Sequence, residues 1–162
     1  MTGPEAMAGG SVLVLDDEPL VTRSLEGLLK METPWTVFAF NRPQDAAESL
    51  AERAYDAAIA DFLMPEMDGL AFLKCVRDSQ PFASRILLTG YADKGNAIRS
   101  INEVGLFQYV EKPWDNDALL LVIRNAVERA RTLRRVDDLV RQIAERDRSL
   151  EGLRAGLLKA IV

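Results

Sequence analysis

Five short apolar runs recur along this chain, at residues 11–16 (SVLVLD), 35–40 (WTVFAF), 55–61 (YDAAIAD), 84–89 (SRILLT) and 106–112 (LFQYVEK), and each is followed by a segment long enough for a helix. No other feature limits the possible folds as much. Strands that alternate with helices are joined by crossovers, and right-handed crossovers give parallel neighbours with helices on both faces of the sheet. The expected fold class is therefore α/β, a five-stranded parallel doubly wound sheet. Helix punctuation agrees. Pro19 and Pro43 lie near helix starts, Asn41 is placed to act as an N-cap, and Asp68-Gly69 turns the chain before a further helix. The second run is the least regular, because Trp35 and Phe38 also suit a loop packed on the core.

From about Trp114 onward there is no further strand or turn signal, and one long helix is expected to the end. Val136, Ile143, Leu150 and Leu157 recur every seven residues, with Leu139, Leu153 and Ala160 on the complementary positions. That spacing is a coiled-coil seam, so a parallel two-stranded coil and a homodimer through the C-terminal helix are expected. Arg146 falls on the seam, and the step from Leu133 to Val136 breaks its phase as a stammer. The rival reading is a solvated amphipathic helix that folds back on its own domain or a neighbour. Residues 1–10 read as a disordered tail, 11–129 as the folded domain and 130–162 as a helical coiled-coil linker.

Composition narrows the function classes. The 162 residues, 48% of them hydrophobic, suffice for one well-packed domain and an appendage. A net charge of −5 leaves no general basic face, so no direct nucleic-acid binding by this chain is expected. Cys75, the single cysteine, has no internal disulfide partner and reads as a buried bystander on an amphipathic helix, which suits a reducing cytoplasm. No apolar run approaches a membrane span, and the first residues lack the charged and apolar regions of a secretory signal. The expected location is cytoplasmic, with no membrane association.

The chemistry gathers at the carboxyl ends of the runs. The first ends in Asp16, Asp17 and Glu18, the third in Asp61, the fourth in Thr89 and the fifth in Lys112-Pro113. In an open parallel sheet these ends share one edge, where ligands bind. Clustered carboxylates repel one another and call for a hard cation with oxygen ligands, and Mg²⁺ is the usual occupant beside phosphate chemistry. Lys112 and Thr89 suit an anion with several acceptor oxygens, and a phosphoryl group fits both. Asp61 is then the natural nucleophile. Each feature has a structural rival, an acidic cap on a helix N-terminus for residues 16–18 and a strand filler for Thr89, and the aromatic Tyr109 three residues before Lys112 reads on its own as a static core residue.

The segments LDDE, DFLMPEMDGL, LLTGYAD and YVEKPW, in this order and each at a strand end, resemble the signatures of a bacterial two-component response-regulator receiver domain, over residues 11–129. The resemblance implies a flavodoxin-like receiver fold. It makes Asp61 the phospho-acceptor, Asp17 a direct Mg²⁺ ligand, Asp16 a ligand mainly through water, and the carbonyl of Leu63 a further ligand. It pairs Lys112 and Thr89 with phosphoryl oxygens and assigns the backbone N–H groups of Phe62 and Gly90 to the others. It also makes Thr89 and Tyr109 a switch: the hydroxyl moves toward the phosphoryl group, the aromatic turns inward, and the surface of the fourth helix, fifth strand and fifth helix changes. Two departures from the commonest pattern stand out. Gly90 replaces a frequent alanine, which is expected to keep the pocket open, and Leu63 and Tyr91 are bulky where polar residues are common, which is expected to hinder an attacking water.

The chain contains no histidine, so a separate donor protein or a small phosphodonor is required, and the resemblance implies a sensor histidine kinase or a histidine phosphotransfer protein. The implied function is a switch rather than an enzyme. It takes a phosphoryl group on Asp61 with Mg²⁺ and relays the signal through the C-terminal helix to an output domain. Within the family, EKPWDNDAL also resembles receivers attached to enhancer-binding activators, cyclic-dinucleotide phosphodiesterases and PP2C-like phosphatases, and a stand-alone receiver that acts by protein–protein interaction stays open. Outside it stand an aspartyl-phosphate phosphatase, whose first strand would carry a D-x-D pattern where this chain has adjacent aspartates, and a constitutive coiled-coil scaffold.

Overall fold

In the computed structural model, which describes residues 9–90, 93–146 and 151–161, all five apolar runs contain strands. The element order is β1 (Ser11–Leu15), α1 (Pro19–Glu32), β2 (Thr36–Phe40), α2 (Pro43–Glu52), β3 (Ala57–Asp61), α3 (Gly69–Ser79), β4 (Ser84–Thr89), α4 (Lys94–Val104), β5 (Gln108–Glu111), α5 (Asn116–Arg146) and α6 (Glu151–Ile161). The sheet order is β2-β1-β3-β4-β5, every pairing parallel. The doubly wound sheet is as expected, and the ambiguous second run is an edge strand: Thr36 is exposed and the rest of β2 is half-buried.

Side-chain alternation divides the core in two. Val12, Val14, Ala57, Ile59, Ile86 and Leu88 face Leu25, Leu29 and the buried face of α5, while Leu13, Leu15, Ala58, Ala60 and Leu87 face Ala46, Phe72, Leu73 and Ala97. Strands covered on both sides have no polar face, which is why the central runs are nearly continuous in apolar residues.

Helix starts are governed by proline and aspartate. Pro19 and Pro43 each open a helix, and the Asp68 side chain caps α3 by accepting from the Ala71 N–H at 2.7 Å. Asn41 is not the expected cap: Arg42 holds that position and its side chain makes no capping bond. Cys75 is exposed rather than buried, because α3 turns Gly69, Phe72, Leu73 and Val76 inward and leaves position 75 on the opposite face.

Of the expected N-terminal tail, residues 1–8 lie outside the described residues. Gly10 is not tail: it is buried, its carbonyl accepts from the Thr36 N–H at 2.9 Å, and a Cβ there would lie 2.1 Å from the Trp35 ring.

The chain divides into two compact units, Met1–Ala130 and Arg131–Val162. In the first, α5 buries Leu119, Leu120, Ile123, Ala126, Val127 and Ala130, so these residues upstream of the seam belong to the core. In the second, Val136, Leu139, Ile143, Leu153 and Leu157 are all exposed. Leu150 falls among residues 147–150, outside the described residues, so the expectation of one continuous helix is described only as its two segments, α5 and α6. Among the described residues no helix is long and apolar enough to cross a membrane.

Candidate functional site

Sheet order decides where the site forms. The chain leaves β1 toward β2 on one side and reaches β3, β4 and β5 on the other, so the topological switch point lies between β1 and β3. Leu15 pairs with Ala60 across that junction, which sets Asp16 beside Asp61 just past it. Thr89 ends β4, and Lys112 follows the last residue of β5.

One carboxylate oxygen each from Asp16, Asp17 and Asp61 lies within 4.8 Å of the others. Asp16 is fully buried, Asp61 nearly so and Asp17 half-buried. The Lys112 ammonium bridges the two buried members, at 2.9 Å from Asp16 Oδ2 and 3.0 Å from Asp61 Oδ1. A single ammonium against three carboxylates leaves the pocket with surplus negative charge. Close-set hard oxygen donors with that surplus fit a small divalent cation such as Mg²⁺.

The electrostatics follow from this crowding. Burial pushes the Asp61 carboxyl above the usual range; the Lys112 hydrogen bond opposes that, and the Asp16 and Asp17 charges add to it. Burial works against the Lys112 ammonium, but its bonds to Asp16 and Asp61 outweigh the penalty and hold its pKa above the ordinary lysine value.

The other expected site residues are placed less uniformly. Thr89 is fully buried at the correct strand end, but its hydroxyl donates to the Gly90 carbonyl at 2.8 Å. Tyr109 is half-buried, packed on the core beside α4. It also lines a groove of about 470 Å³ between β5 and α5. Leu63 stands two residues beyond Asp61 and is 60% exposed. The Phe62 N–H, expected to serve a phosphoryl oxygen, instead donates to the Leu88 carbonyl at 2.8 Å. The parallel ladder between β3 and β4 runs one residue further than the strand end suggested and claims that donor. Among the described residues Gly90 has no tight neighbour: a Cβ there would meet Asp93 at 3.6 Å, an ordinary contact that an alanine would tolerate, so no described neighbour makes the glycine what keeps the pocket open. Tyr91 lies outside the described residues.

Two residues matter here for reasons their sequence context hid. Gly69 reads as a turn residue, yet it is needed for close approach: a Cβ would lie 2.1 Å from the Asp61 carbonyl oxygen, with the Gly69 N–H donating to the Phe62 carbonyl at 2.9 Å. The start of α3 thus rests on the backbone of Asp61. Asn41 reads as a helix cap, yet its side-chain amide donates to the Asp16 carbonyl and to Thr22 Oγ1, both at 2.9 Å. An asparagine just after a strand is the only local signal for that role.

Known proteins resemble this chain in sequence and fold. The sequence model of the response regulator receiver domain matches residues 12–124. The hydrogenase transcriptional regulatory protein HoxA of Cupriavidus necator is 36% identical over 119 residues, 73% of this chain and 24% of that protein. The transcriptional regulatory protein FixJ of Bradyrhizobium diazoefficiens is 27% identical over 94% of this chain and 78% of its own length. The signal receiver domain of an HD domain-containing protein from Pseudomonas fluorescens Pf-5 superposes with a TM-score of 0.72 at 32% identity, covering 76% of this chain and 98% of that one. The chain spans about a quarter of the length of the hydrogenase regulators it matches. With the acidic cluster at the β1/β3 switch point, the lysine that bridges it and a family match over most of its length, the chain belongs to the response regulator receiver domain family.

Proposed function

We propose that this chain is a phosphorylation-operated switch in which Asp61 takes a phosphoryl group from a phosphohistidine on a sensor kinase or phosphotransfer protein. The observation that carries this reading is Lys112 bridging Asp16 and Asp61 next to Asp17. An Asp61 carboxylate oxygen attacks phosphorus, the N–P bond of the donor breaks, and its electron pair returns to the imidazole nitrogen. Phosphoryl transfer asks the protein mainly for position and charge neutralisation. Asp16, Asp17 and Asp61, with the Leu63 carbonyl, would hold Mg²⁺, which when bound offsets charge on the phosphoryl oxygens. Lys112 is already in contact with the Asp61 carboxylate, through Oδ1. Thr89 must exchange the Gly90 carbonyl for a phosphoryl oxygen, and the Gly90 N–H is the backbone donor closest in sequence to that exchange. Loss of the Thr89–Gly90 bond, with Tyr109 turning inward, would carry the change to α4, β5 and α5.

In this reading the receiver occupies residues 11–129, and residues 130–162 form a dimerising helical linker in a cytoplasmic regulator. Relatives named as transcriptional regulators and longer than this chain support a relay to an output domain over a stand-alone receiver or a turnover enzyme. The test is intact-mass spectrometry after incubation with phosphoramidate and Mg²⁺. One phosphoryl group should appear on the native chain and none on Asp61→Asn. Phosphate retained by that variant would move the acceptor elsewhere.

A further inference from the structure

The loop that carries the acidic residues is held from outside by a residue with no assigned part in the chemistry. Asp16 begins it, Pro19 ends it, and a chain of directed hydrogen bonds joins the two ends. The Thr22 hydroxyl donates to the Pro19 carbonyl at 3.1 Å. Its lone pair accepts from Asn41 Nδ2 at 2.9 Å, and the same nitrogen donates to the Asp16 carbonyl at 2.9 Å. The directions are forced: a carbonyl only accepts, and a hydroxyl that spends its proton on Pro19 can only accept from Asn41. Both N–H bonds of one amide are used, so no acceptor side chain can replace it. Asn41 as a residue is exposed, but its amide reaches two groups that are not: Asp16 is fully buried and Thr22 is 3% exposed.

Within this bracket Asp16 has little freedom. Its N–H donates to the Phe40 carbonyl at 3.2 Å, Oδ1 accepts from the Glu18 N–H at 2.9 Å, and Oδ2 accepts from Lys112. These bonds orient the carboxylate relative to its own backbone. The Asn41 bond sets where that backbone stands, and Asp17 follows it directly in the chain. Without the bracket, the Asp16 and Asp17 carboxylates keep their identity but lose their common placement, and the repulsion among three carboxylates drives the loop open.

The geometry points to Asn41 as a positioning residue that sets the affinity of the acidic pocket for its divalent cation, and this inference rests on the Mg²⁺-dependent reading above. Outer groups that orient a ligand are commonly worth about tenfold or more in metal affinity. The test is calorimetric titration of the full chain with Mg²⁺ alone, beside thermal melts in chelator and in saturating Mg²⁺. Asn41→Ala should weaken Mg²⁺ binding about tenfold. It should raise the Mg²⁺ concentration for half-maximal phosphorylation by phosphoramidate by the same factor, with the rate at saturating Mg²⁺ nearly unchanged. Thr22→Val keeps the Asp16 contact and removes one anchor, so it should weaken binding about threefold, which provides a second reading should the alanine variant fail to fold. A merely structural role would lower both melts alike and leave the Mg²⁺ titration where it was. Titrations of both variants within error of the native chain would overturn the inference while leaving phosphorylation of Asp61 intact. A native chain that binds no Mg²⁺ would overturn the underlying reading and this inference with it.

Discussion

At the scale of single residues the pocket trades stability for chemistry. Asp61 is held in a buried, negatively charged corner that raises its pKa from the ordinary 3.8, so the folded apo protein holds a proton there more tightly than the unfolded chain does. For a raised carboxylate the penalty appears as pH climbs above 3.8 and is complete once pH passes the folded value. Apo stability should therefore fall across that window, and Asp61→Asn should remove the fall. At neutral pH without Mg²⁺ we expect the variant to be more stable than the native chain by ~0.5–2 kcal/mol, the usual gain when a functional charge cluster is relaxed. Chemical denaturation in chelator from pH 4 to 8 measures it, and identical pH profiles for the two proteins would remove the idea that the cluster is strained. Lys112 behaves in the opposite sense. Its raised pKa adds stability that is fully present below its ordinary 10.5 and is lost as pH rises through the folded value. Lys112→Ala should accordingly destabilise the apo protein at neutral pH, by leaving Asp16 and Asp61 buried without their counter-charge, and the same denaturation series reports it.

At the scale of elements, the contact between the start of α3 and the end of β3 is the tightest constraint beside the site. Gly69 has no positive φ to satisfy; what it supplies is the absence of a side chain against the Asp61 carbonyl. The obstructing atom is backbone, which cannot swing aside as a flexible side chain would. Gly69→Ala should cost about 3 kcal/mol or more, measured by urea unfolding, and should slow phosphorylation even at temperatures where the variant is folded. Retention of both native stability and native rate would mean that the helix and strand separate freely. Gly90→Ala, by contrast, should be nearly neutral in stability, because among the described residues its added methyl meets only an ordinary contact. The two substitutions are the same in sequence terms and differ only in what surrounds them.

At the scale of the whole molecule, the chain has a packed unit through Ala130 and a second unit with an exposed apolar row. The shift from buried to exposed apolar positions coincides with the phase break between Leu133 and Val136: Leu119, Ile123, Ala126 and Ala130 upstream are buried, and the downstream row is exposed. A second copy fits the heptad spacing of Val136, Leu139, Ile143, Leu153 and Leu157. Sedimentation should find the full chain dimeric and a version ending at Arg129 monomeric or weaker. Arg146→Leu should tighten the dimer by removing a charge from the seam. A full chain that stays monomeric at high micromolar concentration would leave this row to some other partner.

What the sequence determined by itself is whatever depends on near neighbours. Short apolar runs, each followed by a helix-length segment, specified the strands and a sheet covered on both faces, and the strand-end residues Asp16, Asp17, Asp61, Thr89 and Lys112 marked the site because a parallel sheet gathers its carboxyl ends on one edge. Tertiary structure decided which donor meets which acceptor. Lys112 reaches Asp16 across 96 positions and Asn41 reaches it across 25, so no local pattern distinguishes that asparagine from a helix cap. The Phe62 N–H and the Thr89 hydroxyl were likewise legible as polar groups near the site but not by partner, since a neighbouring carbonyl competes for each. Periodicity reports which side of an element a residue faces. Hydrogen bonds depend on sub-ångström placement of groups from different elements, and that placement exists only once the sheet has closed.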